Sequence, residues 1–250
     1  MTETQKNNQE TRITCKNCEN VFSGNYCNQC GQKANIQRIN LKHLLHNFFH
    51  AFTHMDRGYI HTLKELAIRP GHTIREYLQG KRSGHSDPLL MLLIIGGLCS
   101  VLYNHYHLKT LSSVDLSTFK GDMQMLSLKF YVLAFLGYSL ILSLFDFLFF
   151  RYKGYNYFEL LVMNIFACIE ILFLTILLVP LFILLSSTII IVYVQLATSF
   201  LIMVYLIFVR YQFFEAAGDR RAIRTLVADA IAVVLFVIIT GWKTWQTMLA

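Results

Sequence analysis

Four cysteines occupy one short stretch, CKNCENVFSGNYCNQCGQ, as Cys15-x2-Cys18-x8-Cys27-x2-Cys30. Each CxxC hook offers two thiolates to one ion, and four thiolates complete a closed tetrahedral zinc site. A redox CxxC would need only one pair and a βαβ setting, and an iron site could use the same four sulfurs. Gly31 lets the chain curl behind the second hook, and Ser23-Gly24-Asn25 turns between the hooks. So short a segment has almost no core, so one structural Zn2+ would supply its folding energy. No catalysis is expected at an ion with no open position. Zinc thiolates also imply a reducing compartment, which places the N-terminus in the cytoplasm.

A second set of ligand types follows in INLKHLLHNFFHAFTH, residues 39–54. Leu41, Leu44, Leu45, Phe48, Phe49 and Phe52 recur at helical spacing. His43, His46, His50 and His54 fall opposite them, in a stripe about 80° wide. The i,i+4 pairs can chelate a metal or sense pH, although a solvated or partner-facing polar face accounts for the stripe more simply. The third candidate is Glu170, twelve residues into an apolar segment and about 18 Å deep at helical rise. A carboxylate at such depth is a candidate for a proton or solute site, and its plainer role is a neutral packing group. Cys99, Ser100, Tyr138, Ser139, Gln195, Thr198 and Thr240 fall at similar depth, and Asn164 one turn below. Asp146, Glu159 and Asp229 lie near segment ends, within reach of Arg151, Lys153 or Arg224. There is no GxSxG, HExxH or Walker loop, so nothing argues for an enzyme.

The elements that position these groups are those of an all-α polytopic membrane protein. More than half of the 250 residues are hydrophobic, three are proline, and the net charge is +7. Apolar runs after Asp87 reach the ~20 residues that a bilayer crossing needs. They predict about five transmembrane helices, near 88–104, 129–150, 158–182, 186–209 and 226–247. Pro180 and Ser186-Ser187-Thr188 mark a tight hairpin between the third and fourth. Residues 1–14 read as a flexible polar leader without signal-peptide pattern, 15–32 as a small four-cysteine zinc ribbon, 36–87 as amphipathic juxtamembrane helices, and 88–250 as the transmembrane domain. Within 36–87, Thr62 with Glu65 and Thr73 with Glu76 fit capping boxes, Pro70-Gly71 separates two helices, and Gly80 ends the second. With the N-terminus inside, eighteen Lys/Arg lie inside and four outside, which puts the C-terminus outside. Cys99 and Cys168 sit alone in apolar stretches and read as small hydrophobes.

Arg69, Arg75, Lys81 and Arg82 cluster beside the first span, placed to contact anionic lipid or a partner. Nucleic acid is disfavoured as a partner, because the aromatics are not interleaved with the cations. The order CxNC…GxYCxxCGQ, then DRGYIHTLKELAIRPGHTIREYLQGKR…DP before the first span, resembles a bacterial family of unknown function. That family pairs an N-terminal zinc ribbon with a polytopic membrane domain. Its motif falls on Asp56, Gly58, Thr62, Leu66, Arg69, Pro70, Gly71, Tyr77, Gly80, Lys81, Arg82 and Pro88. Glu19 departs from it, since glycine usually follows the second cysteine. The resemblance implies architecture and no activity. A looser likeness to five-span trafficking proteins is analogy of fold.

The sequence therefore reads as a bacterial inner-membrane protein, a scaffold or regulator rather than a catalyst. Its ribbon and basic helices would bind membrane lipids or a cytosolic protein. The alternative is a transporter or channel-like protein around Glu170. A homo-oligomer is left open. So is the choice between 39–87 lying on the bilayer and folding back onto the bundle.

Overall fold

The two hooks stand on a minimal ribbon. Strands β1 (Ile13–Thr14) and β2 (Val21–Phe22) pair antiparallel, with Ile13 opposite Phe22 and Thr14 opposite Val21. The computed structural model describes residues 12–42, 44–46, 48, 58–105, 123–185, 190–214, 219, 223 and 227. Six helices follow the ribbon within them: α1 (Tyr59–Ile68), α2 (Pro70–Gln79), α3 (Pro88–His105), α4 (Met123–Phe150), α5 (Tyr157–Leu185) and α6 (Ile190–Phe213). A single 3-10 turn, Arg151–Lys153, joins α4 to α5.

Helix α5 is the axis of the body. Its first half, from Glu159 to Leu172, is buried without interruption, because α1 to α4 and α6 all pack on it. That explains a helix hydrophobic on every face: no face of this half is left to solvent. Among the described residues, two stretches are long and apolar enough to cross a membrane, Phe135–Lys153 and Tyr157–Leu185, while Pro88–Leu102 and Ala197–Phe213 are apolar but shorter. The expected spans at 88–104, 129–150, 158–182 and 186–209 thus coincide with helices α3 to α6; 226–247 lies outside the described residues. Pro180 does not break the chain as expected, since α5 runs through it to Leu185. Residues 186–189 lie outside the described residues. Apolar helices tolerate proline where local adjustment re-satisfies the freed carbonyl.

Residues 58–87 fold back onto the bundle. Leu66, Ile74, Tyr77 and Leu78 join the core, and the Tyr77 ring meets Phe166 of α5 edge-on at 5.2 Å. The two expected capping boxes do not form. Helix α1 already starts at Tyr59, and Thr62, one turn in, donates to the Gly58 carbonyl at 2.8 Å and accepts from the Ser86 amide at 3.1 Å. Helix α2 starts at Pro70, where a missing N–H leaves nothing unsatisfied. Thr73 bonds back to the Arg69 and Glu65 carbonyls instead. Both threonines are fully enclosed, so their hydroxyls find local carbonyls rather than caps. Gly80 ends α2 as expected.

Gly71 shows why the start of α2 is sequence-restricted. A Cβ there would lie 2.4 Å from both Gln212 Cβ and the Phe213 nitrogen, and 2.7 Å from the Val209 carbonyl oxygen. These are atoms of α6 that cannot swing aside. The Gly71 amide also donates to Gln212 Oε1 at 3.1 Å. Gly71→Ala is therefore expected to lower stability by about 1–3 kcal/mol through overpacking. Thermal unfolding of the detergent-solubilised protein measures it. Gly97→Ala is the control, because no atom lies within 4 Å of its added Cβ.

Candidate metal centre and its seat on the helical body

The sulfurs of Cys15, Cys18, Cys27 and Cys30 lie within 4.8 Å of one another, with Cys15–Cys30 at 3.5 Å and Cys18–Cys27 at 3.6 Å. A tetrahedral ion with metal–sulfur bonds near 2.3 Å requires sulfurs roughly 3.8 Å apart, so the quartet fits a thiophilic ion. All six cysteines are free of disulfides.

The two hooks repeat one backbone pattern. Cys15 N–H donates to the Asn20 carbonyl and Glu19 N–H to the Cys15 carbonyl, at 2.9 and 3.0 Å. Cys27 N–H donates to the Gln32 carbonyl and Gly31 N–H to the Cys27 carbonyl, at 2.8 and 2.9 Å. The knuckle aims amide groups at sulfur, which favours thiolates. The amides of Cys30 and then Gln29 hold the Cys27 thiol down to about 6, against burial. At Cys18 the Asn20 amide also favours the thiolate, but burial and the three neighbouring sulfurs push it up to about 12. Four sulfurs held this close together call for a cation at their centre.

Glu19 and Gly31 are equivalent positions, and both have positive φ, 60° and 72°. Glycine adopts that conformation freely and glutamate does not. Glu19→Gly should therefore ease the first hook by no more than about 1 kcal/mol, some fivefold in metal retention. Competition against a chelator reads this directly, and weaker retention would show that the Glu19 side chain contributes something glycine lacks.

The ribbon is seated on the body by the residue after its last glycine. Gln32 Oε1 accepts from the amides of Arg82 and Ser83, each at 3.0 Å. Ser83 Oγ donates back to the Cys30 carbonyl at 2.8 Å. Arg82 donates to the carbonyls of Tyr77 and Gln37 at 3.2 Å and lies 5.4 Å over the Tyr77 ring. Burial holds the Arg82 guanidinium below its ordinary range, against the pull of Tyr77 and Glu159. Further on, Arg38 grips Glu159 with two bonds, at 2.9 and 2.7 Å, and Asn156 Nδ2 donates to the Ile39 carbonyl at 3.1 Å. Asn156 and Glu159 also form the capping box of α5, each side chain accepting from the other's amide. The motif Asn-x-x-Glu is visible in the sequence; its second use, as the ribbon's anchor, is not.

Residues 56–99 match a protein family described as protein of unknown function (DUF3667). The chain is similar to that family over α1, α2 and most of α3, the part on which the ribbon sits. No curated protein matches the chain, and no solved structure matches it. Four motif residues of this stretch have structural duties across the fold. Gly58 abuts the Gly84 carbonyl, Thr62 ties α1 to Ser86, Gly71 touches α6, and Arg82 holds the ribbon. Asp56 lies outside the described residues.

The other candidates separate. Of the histidine stripe, His46 is exposed, and His43, His50 and His54 lie outside the described residues. On the apolar side of that segment Leu44 is buried, whereas Leu41 and Leu45 are half-exposed. Arg69 bridges Glu65 at 2.7 Å and Glu76 at 3.5 Å, and Lys81 reaches Glu76 at 3.6 Å. The bond from Arg69 holds the Glu65 carboxyl below its usual range, against burial. Arg69 and Lys81 still expose 47% and 41% of their side chains, enough to meet a further ligand. Arg75 approaches His72 Nδ1 at 2.7 Å. Lys16, Arg38 and Lys153 converge on a cleft of about 380 Å³ between the ribbon linker, the end of α2 and the α4–α5 turn.

Two acids pair otherwise than expected. Glu159 takes Arg38 rather than Arg151 or Lys153, and Arg224 lies outside the described residues. Asp146 takes Arg210 at 3.1 Å, and Asn164 bridges them, donating to Asp146 at 2.8 Å and accepting from Arg210 at 3.1 Å. From there Asn164 donates to Ser143 at 3.0 Å, Ser143 to the Ser139 carbonyl, and Ser139 meets the Cys168 sulfur at 3.4 Å. Asp229 lies outside the described residues. The missed signal at Arg210 is an arginine in the last turn of an apolar segment, which the positive-inside count assigns to a loop.

Proposed function

We propose that this is a bacterial inner-membrane protein with five transmembrane helices, cytoplasmic N-terminus and external C-terminus. Its N-terminal part is a cytosolic binding platform rather than a catalytic domain. One structural Zn2+ on Cys15, Cys18, Cys27 and Cys30 holds the ribbon, and α1 and α2 hold the ribbon on the bundle. The observation that carries this reading is the seat itself: Gln32, Ser83, Arg82 and Arg38 fasten the ribbon to the helical body by side-chain bonds. A freely tethered metal module would need none of them. Fastened there, the ribbon presents Tyr26 and Val21, 63% and 57% exposed, and the cleft of Lys16, Arg38 and Lys153. Exposed apolar side chains on the ribbon suit a cytosolic protein surface, and Lys16 suits anionic lipid headgroups next to it, whereas Arg38 and Lys153 are already paired with Glu159 and Asp219.

The test is photo-crosslinking from Tyr26 in intact cells, with a second probe at Ile60 on α1, which is 81% exposed. Adducts to one cytosolic protein or to phospholipid from Tyr26 support the platform. Adducts only to other copies of this chain, or an external location for either probe, overturn it. A transporter centred on Glu170 is the second reading, favoured by the state of that side chain alone.

A further inference from the structure

Four acids are buried among the described residues: Asp87, Asp146, Glu159 and Glu170. Three are provided for. Asp87 accepts the amides of Leu89 and Leu90, Asp146 holds Arg210 and Asn164, and Glu159 holds Arg38 and Asn156. Glu170 is fully enclosed, and neither of its carboxyl oxygens has a hydrogen-bond partner. The fold therefore gives three buried carboxyl groups hydrogen-bond partners and leaves this one without. An ionised carboxylate in such a place is disfavoured by several kcal/mol after all relaxation, and the neutral acid by far less.

Among the described residues two other side-chain oxygens share this condition, Ser86 Oγ ahead of α3 and one on the helix that packs along α5. The Tyr205 hydroxyl on α6 is buried without a hydrogen-bond partner, and it is electrostatically coupled to Glu170. Among the described residues, Cys99 on α3, Asp146 on α4, Glu159 and Cys168 on α5, Arg210 on α6 and Tyr77 on α2 are the other buried titratable or charged groups on α5 and the helices packed against it. A metal cation is a poor occupant, since a hard ion wants about six oxygens and Glu170 with Tyr205 offers three.

We propose that Glu170 is a proton-binding site within the helical bundle, resident as the neutral acid and served by Tyr205. On release of the proton, the Tyr205 hydroxyl would donate to the new carboxylate. The site requires neither zinc nor a cytosolic partner, so it stands or falls apart from the platform.

The experiment is labelling of the purified full chain in detergent with dicyclohexylcarbodiimide, mapped by peptide mass. The acid O–H adds across one C=N bond: its proton goes to nitrogen, and its oxygen bonds the central carbon. The O-acylisourea then rearranges to a stable N-acylurea, with no leaving group and no redox change. The expected result is one reagent mass on the Glu170 peptide, falling as pH rises, and none from a water-soluble carbodiimide. Tyr205→Phe should carry labelling to higher pH, because the carboxylate loses its donor. Glu170→Gln should abolish the label; the peptide map of the wild type decides even if that variant does not fold. No label at Glu170, equal labelling by the water-soluble reagent, labelling independent of pH, or no change in Tyr205→Phe overturns the proposal.

Discussion

Replacing Cys27 and Cys30 together by serine is expected to remove all bound metal and unfold the ribbon while leaving the helical body standing. Metal binding to such small domains provides on the order of 10 kcal/mol, more than a two-strand ribbon with a three-residue core of Cys15, Phe22 and Cys27 can replace. The body depends on it far less. Gln32 and Ser83 contribute three hydrogen bonds across the seat, at roughly 1 kcal/mol each. Arg38 and Asn156 attach beyond the hooks and remain. Elemental analysis should give one zinc per wild-type chain and none in the double variant. Limited proteolysis should cut within residues 33–37 in the variant alone. A His46→Ala/His50→Ala chain should keep its one metal. Two metals in the wild type, with one lost in the histidine variant, would instead make the stripe a second centre. Metal retained without Cys27 and Cys30 would remove the four-sulfur assignment altogether.

What the sequence made legible follows from range. The hooks were readable because ligand spacing is local, and so was the odd position of Glu19, where a backbone conformation meets the wrong residue type. Apolar runs placed α3 to α6 within a few residues at most termini, although α4 begins at Met123, earlier than its apolar core suggests. Gln32 stood in the motif from the start, yet its duty lies some fifty residues away on the amides of Arg82 and Ser83. Thr62 and Thr73 misled for a physical reason. The same threonine–glutamate spacing that caps a helix on the surface is a hydroxyl bonded back to a carbonyl once the helix is buried. Glu159 and Asp146 sought their partners among the nearest cations in the chain. They found Arg38 and Arg210, which only the packing of the ribbon linker and of α6 on this end of α5 brings close.

The Asp146–Arg210 pair carries the largest single-residue effect in the body. Its side chains are only 3% and 7% exposed, so neither charge can turn to water if its partner goes. Asp146→Leu leaves the guanidinium with the Asn164 carbonyl oxygen, and Arg210→Met leaves the carboxylate with the Asn164 amide. Each single change should cost about 3–5 kcal/mol, the usual penalty for stranding one member of a buried pair. The double variant should recover most of that loss, because two apolar side chains of similar size need no desolvation and no partner. Unfolding in detergent of the wild type, both singles and the double gives the coupling energy, expected to exceed about 2 kcal/mol. Additive losses would mean the two side chains do not meet, and α6 would then not close over α4 and α5 at this end. Recovery in the double also says what the pair is for: hydrophobic residues would hold these helices together as well, so the charges set which faces of α4, α5 and α6 meet.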